Sequence, residues 1–280
     1  MKTLALLSYP TTQRWHSRVG TTINLVAFCL LSLGGGISFA SSQNASVVFP
    51  AASAVVSLPS QASEVTPLSP SDSAALFQQA IADDLASRPM LARQAYDALK
   101  HSDMAVVAAV PSAINLVSLG QFGAARQAFD AVTASRDARE RDYAHLWQLW
   151  LTARTYSGKP QALKKELARL ATGMNVRSPS QQALIRLYAG KGSADAVFAA
   201  IAAMPNIDEL QRRDALTEAT FFTGGYLQFV AHNNKAALQL YKREQNQLNS
   251  TSLERPLINL IAATLQASNS NFLPLMEPGK

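Results

Sequence analysis

Cysteine is nearly missing: the 280-residue chain has one, Cys29, inside an N-terminal apolar run. Once that run is removed no thiol is left, which excludes disulfides, thiolate metal sites and a cysteine nucleophile. Charge is sparse as well, at 16% of residues against 48% apolar, a balance that buries a core rather than leaving a disordered chain. No block of five like charges occurs. The formal charge of +6 leans on Lys2, Arg14 and Arg18, which precede residue 41 in a stretch with no Asp or Glu. Without those three, 22 basic residues face 19 acidic ones, too mild an excess to indicate nucleic acid. H-E-x-x-H, G-x-S-x-G and P-loop patterns are all missing, and no stretch shows the period-two alternation of a strand. Nothing suggests a metal or cofactor, and a Ser/His/Asp triad has no motif to point to it.

What is present begins with a targeting segment. Residues 1–40 read as an export signal: Arg14, His16 and Arg18 precede the apolar run Ile23 to Ile37, and Ser38-Phe39-Ala40 supplies small residues for a cut after Ala40. The alternative is an uncleaved membrane anchor. The run is short for one and carries Gly34, Gly35 and Gly36, whereas a span needs about 20 apolar residues. The long leader with Pro10 leaves room for a translation start further downstream. Phe28 before Cys29, and the apolar Leu30, Leu31 and Leu33 after it, argue against lipidation there. Residues 41–71, with Pro50, Pro59, Pro67 and Pro70 among Ser and Ala, read as a flexible lead-in.

From residue 72 to 268 apolar positions recur three and four apart, in segments separated by short polar or glycine breaks. The periodicity predicts helices near 72–87, 90–101, 104–119, 122–135, 138–157, 160–172, 179–190, 193–202, 207–231, 234–247 and 252–267, with 269–280 as a tail. Pro111 implies either a late start for the third helix or a kink in it. Short breaks make neighbours antiparallel, so the expected fold is all-α: helix pairs stacked as a short tetratricopeptide-type solenoid. That repeat is a pair of about 34 residues in which small residues let two helices approach and aromatics plug the gap to the next pair. Ala113, Leu116, Gly120, Phe122, Ala125, Phe129 and Val132 make one unit. Trp147, Leu151, Gly158, Leu163 and Leu167 make a second. Leu187, Tyr188, Gly190, Gly192 and Ala196 form a degraded third, and Phe221, Gly224, Gly225, Ala237 and Tyr241 a fourth whose turn is Asn233-Asn234. The alternative is a helical bundle without repeats.

Several strings in order resemble the NlpI family, bacterial tetratricopeptide lipoproteins of the cell envelope. They are Leu91-Ala92-Arg93 with Tyr96 and Leu99, Asp103-Met104, Gly120, Phe122, Ala124-Ala125 and Ala128-Phe129-Asp130. Tyr143-Ala144-His145-Leu146, Phe222, Gly225, Tyr226 and Leu240-Tyr241-Lys242 follow, so the resemblance covers about two thirds of the chain. It implies a non-catalytic, dimeric envelope adaptor that brings peptidoglycan hydrolases together with partners, a periplasmic protease among them. The chain departs from the family at the lipidation cysteine, so outer-membrane anchoring does not carry over.

Candidate site residues are few. Of His16, His101, His145 and His232, only His145 falls near the face expected to be concave, and a lone helical histidine is usually packed or solvated. Trp147 and Trp150, three apart, suit core packing better than an aromatic site. Phe222, Tyr226 and Phe229 share a helix face and are expected to line a groove for a partner helix or extended peptide, with His145, Gln148 and Thr152 on the matching face of an earlier repeat. Arg186, Lys191, Arg212 and Arg213 read as a solvated face. The leading expectation is therefore a periplasmic, homodimeric scaffold that docks protein partners without catalysis, cofactor or nucleic acid. Its rivals are a repeat component of a secretion, pilus or conjugation apparatus and, third, an enzyme in a helical fold.

Overall fold

Proline decides where several helices start. Its ring holds φ near the helical value, and in a first turn its missing N–H costs nothing. Pro70, Pro89, Pro160 and Pro179 each stand at a helix start. Side chains cap others: Asp208 and Gln211 form a reciprocal capping box, and Ser193 and Asn233 accept the backbone N–H groups of Ala196 and Ala236. The computed structural model describes residues 68–270, and the regular elements among them are all helical. They are α1 (Pro70–Leu85), α2 (Pro89–Leu99), α3 (Ala105–Ser118), α4 (Phe122–Val132), α5 (Ala138–Thr155) and α6 (Pro160–Thr172). The rest are α7 (Pro179–Tyr188), α8 (Ala194–Ala202), α9 (Glu209–Phe229), α10 (Asn234–Glu244), a 3₁₀ turn (Gln245–Gln247) and α11 (Glu254–Ser270). Each lies within about three residues of its expected span. The export signal and most of the lead-in fall outside the described residues, as do positions 271–280.

Each helix packs on the next, and first helices of successive pairs also touch: α1 on α3, α5 on α7, α7 on α9 and α9 on α11. This is the stacking of an all-α helical repeat. Two contacts add to it, α5 directly on α9 and α11 on α1. The repeat residues take their expected places in the main: Ala113, Ala125, Phe129, Leu167 and Ala237 are fully buried. Ala196 is a correction, because it is exposed while Val197 and Ile201 carry the packing of α8. Of the two readings of Pro111 the late start is excluded: the helix starts six residues before it and runs through it, with Ala108, Pro111, Ile114 and Val117 buried, so burial along the helix outweighs one lost backbone hydrogen bond.

The turns obey backbone sterics. Gly120 and Gly190 adopt a left-handed φ of 71° after α3 and α7. After α9 that role belongs to His232, at φ 52°, while Asn233 caps the next helix. Two glycines sit inside α9, where each costs about 1 kcal/mol relative to alanine. Close approach requires them: a Cβ on Gly224 would collide with the Tyr241 ring, and one on Gly225 with the Trp150 indole. Gly225→Ala is therefore expected to lower stability by about 1–3 kcal/mol despite its gain in helix propensity. Gly123→Ala, whose new methyl meets nothing within 4 Å, should melt at or slightly above the parent. Thermal unfolding of the two variants side by side checks this, and equal melting of both would refute the close packing on α9.

Candidate functional site

The aromatic residues form one continuous cluster where α5 meets α9. Trp147 stacks on Phe129 with ring centroids 5.1 Å apart and meets Phe221 at 4.9 Å and Phe222 at 5.3 Å. Trp150 lies 5.2 Å from Phe221, and Tyr143 closes edge-on to both Trp147 and Phe222. Trp147, Phe221 and Phe222 have no exposed surface. Trp147 and Trp150 are thus core.

The expected groove divides here. Phe222, read as part of an exposed aromatic face with Tyr226 and Phe229, is instead fully buried against Tyr143 and Trp147, because α9 is covered by α5 on that side. It has no surface to offer a partner. Tyr226 and Phe229, further along α9, are half-buried. Tyr226 meets Tyr188 edge-on at 5.5 Å, and Phe229 meets Trp150 at 5.7 Å. His145, Gln148 and Thr152 turn towards α4 rather than joining the Phe222 row. His145 Nδ1 is 3.2 Å from Gln148 Oε1, the Gln148 amide donates to Asp130 at 2.7 Å, and Thr152 is buried, accepting from Arg126.

The two rows converge at one place that sequence reasoning missed. Arg126 of α4 donates through Nη1 to Thr152 Oγ1 at 3.1 Å and through Nη2 to Thr155 Oγ1 at 3.0 Å. Arg154, in the last turn of α5, lays its guanidinium 4.8 Å from the Phe122 ring and 5.2 Å from the Phe229 ring. Phe122 and Arg126 are four apart on α4 and so share a face. Two arginines and two phenylalanines therefore meet at the junction of α4, α5 and the end of α9. The only hint in the sequence is the Phe122/Arg126 spacing, which means nothing until α9 is placed beside it.

A second missed cluster joins α5, α7, α9 and α11. The Tyr143 hydroxyl and Ser252 Oγ both donate to the buried Glu254 carboxylate at the start of α11. Gln181 donates to Glu218 at 3.0 Å, and Asn249 donates to Asp214 through its amide and to Thr217 Oγ1 through its backbone N–H. Burial pushes Glu218 up to about 8, opposed by the Gln181 hydrogen bond and reinforced by the charges of Glu254 and Asp214. Burial likewise lifts Asp214 to about 6, against the Asn249 bond and with Glu254 and Asp208 adding to it. Burial also raises Asp84 to about 6, although Asn115 donates a hydrogen bond to it and the Tyr96 hydroxyl and the Arg93 charge lie near. Among the described residues no group of His, Cys, Asp or Glu is arranged to hold a metal ion, and no helix is long and apolar enough to cross a membrane.

No family model matches the chain, nor does any curated protein.

The acid cluster sets a pH dependence. A carboxyl whose pKa is higher folded than unfolded holds its proton more tightly in the folded state. Stability is then greatest in acid, falls as pH rises past the usual Glu value of 4.5, and levels off above about 8. Between pH 6 and 9 the melting temperature should drop, by at least about 1 kcal/mol in equivalent stability, or about 2–4 °C for a domain this size. Glu218→Gln should flatten that fall while leaving the part below pH 6, which Asp84 and Asp214 supply. A Gln variant whose pH profile overlays the parent's would show that Glu218 is not the titrating group.

Proposed function

We propose that the protein is a non-catalytic scaffold of the bacterial cell envelope that docks protein partners on the face where α4, α5 and the C-terminal end of α9 meet. The observation that carries this reading is the half-exposed pair Tyr226 and Phe229, backed by fully buried aromatics and flanked by Arg126 and Arg154. Tyrosine, phenylalanine and arginine are the side chains that protein interfaces concentrate, and a rigid backing lowers the ordering entropy lost on binding. Export to the periplasm follows from the N-terminal signal pattern. The likeness to NlpI-type adaptors supports peptidoglycan hydrolases and an envelope protease as partners. The same likeness suggests a homodimer. The apolar side chains needed for one are available on the first helices, where Met90 is 64% exposed, Leu91 49% and Val106 73%.

The reading separates into two measurements on one pair of variants. Phe222→Ala should cost about 3–5 kcal/mol of stability, as truncation of a buried Phe does. Tyr226→Ala should cost less than about 2 kcal/mol, yet weaken binding of envelope partners recovered with the parent by about 1–3 kcal/mol. Unchanged partner affinity in folded Tyr226→Ala protein would remove this face from the proposal.

A further inference from the structure

Resting on the reading that this face docks protein, we propose that Arg126 and Arg154 select a partner segment rich in Asp and Glu. A guanidinium has five N–H donors in one plane and an apolar face above and below it. Arg154 lies over the Phe122 and Phe229 rings, which attract its charge without supplying an acceptor that neutralises it. Arg126 uses one donor on each of Thr152 and Thr155, and both acceptors are neutral hydroxyls that leave its charge uncompensated. Elsewhere the fold pairs arginines readily, as in Arg88 with Asp83, Arg93 with Asp97, Arg213 with Glu209 and Arg243 with Glu244. At this junction no carboxylate of the described residues comes within ion-pair distance of either guanidinium. The nearest acid in register is Asp130, one turn beyond Arg126 on α4, and its carboxylate is engaged by the Gln148 amide. Arg154 is also favoured by the C-terminal end of α5, which steadies a cation without neutralising it.

The site is thus two prepositioned cations beside apolar rings. It is complementary to a segment with carboxylates to sit on the guanidinium edges and an apolar side chain to cover Phe229 and Tyr226. Prepositioning favours carboxylate over water, because the side-chain ordering that weakens most surface ion pairs is already complete.

The test is an unbiased selection. Phage-displayed random dodecapeptides are panned on the folded full chain. The strongest peptides are then titrated by fluorescence anisotropy against the parent, Arg126→Gln, Arg154→Gln, Arg154→Lys and Tyr226→Ala, each checked for unchanged melting. The expected result is enrichment of Asp and Glu next to an apolar residue, with binding weakened at least about tenfold by either Gln variant and less by Arg154→Lys. Arg212→Gln, half-buried near the start of α9 and about four turns before Tyr226, should leave binding unchanged. Peptides without acidic enrichment that still depend on Tyr226 would overturn the inference while leaving protein docking at this face intact. Peptides indifferent to Arg126, Arg154 and Tyr226 alike, or no selected peptide at all, would overturn both. Equal losses in Arg212→Gln would reduce the effect to net charge and also sink it, as would equally tight binding of a dT12 oligonucleotide.

Discussion

Contact between α5 and α9 is the interaction on which the rest of the described fold depends, and Trp147 is its centre. Its ring meets Phe129, Tyr143, Trp150, Phe221 and Phe222, so one side chain ties the second helix of one pair to the first helix of the next and onward to α9. Each buried aromatic removes about 150–250 Å² from water, worth a few kcal/mol at about 25 cal/mol per Å². No surface ion pair in this molecule approaches that. Arg169 with Glu166 and Arg213 with Glu209 lie on exposed helix turns, where such pairs contribute about 0–1 kcal/mol. Because α9 also packs on α7, α8, α10 and α11, loosening α5 from it would weaken the hold on the C-terminal half of the stack, leaving it tied through α7 and through α11 on α1. A repeat array joined only by nearest neighbours would not behave this way.

The same contact explains what the sequence revealed and what it hid. Helix positions were legible because most helices bury one stripe, so apolar spacing, starting prolines and capping residues all agree on their limits. The side from which Phe222 is covered was not. Three- and four-residue spacing marks the buried side of a helix that has one buried face, and α9 has neighbours on several. Thr217 is buried, and so is every residue from Ala219 to Gly225, a run that circles the helix almost twice. Periodicity therefore shows that 222, 226 and 229 share a side without showing that the side changes from core to rim along its length. Tyr226 and Phe229 lie past Gly225, where that run of burial ends, and both keep part of their surface. The degraded third repeat failed for a related reason. In α8 the packing role passes from Ala196 to Val197, a one-residue shift that a motif reader resolves only with the partner helix in view.

Charged residues were the least legible. Tyr143, Gln181, Asp214, Glu218, Asn249 and Glu254 come from four helices and the segment before α11, and each is unremarkable in its own stretch of chain. Only Asp214 and Glu218, four apart on a helix otherwise heavily buried, hinted that carboxyls would be shielded from water. Once assembled, they make Tyr143 a link between two kinds of physics. Its ring belongs to the aromatic cluster, and its hydroxyl is held by Glu254 at the start of α11. Burial and the Glu254 charge both hold that hydroxyl in its protonated form, so it remains a donor throughout the range in which the neighbouring carboxyls titrate. Gain of charge at Glu218 is opposed first by its burial, and then by repulsion from Glu254 across the seam that joins α9 to α11 and from Asp214 on its own helix.

The rim residues follow from this arrangement. A half-exposed aromatic on a mobile segment would lose much of any binding energy to its own ordering. Phe229 is held by Trp150 behind it, and Trp150 is held by Phe221 and by the glycine at 225 that lets its indole lie against the α9 backbone. Arg154 rests on Phe229 in turn, so the position of the outermost charge traces back through two rings, Phe229 and Trp150, to a residue with no side chain at all. Rigidity at the surface is set by packing in the interior. A glycine one turn from the nearest arginine contact therefore belongs to the proposed binding face as fully as the side chains that a partner would touch.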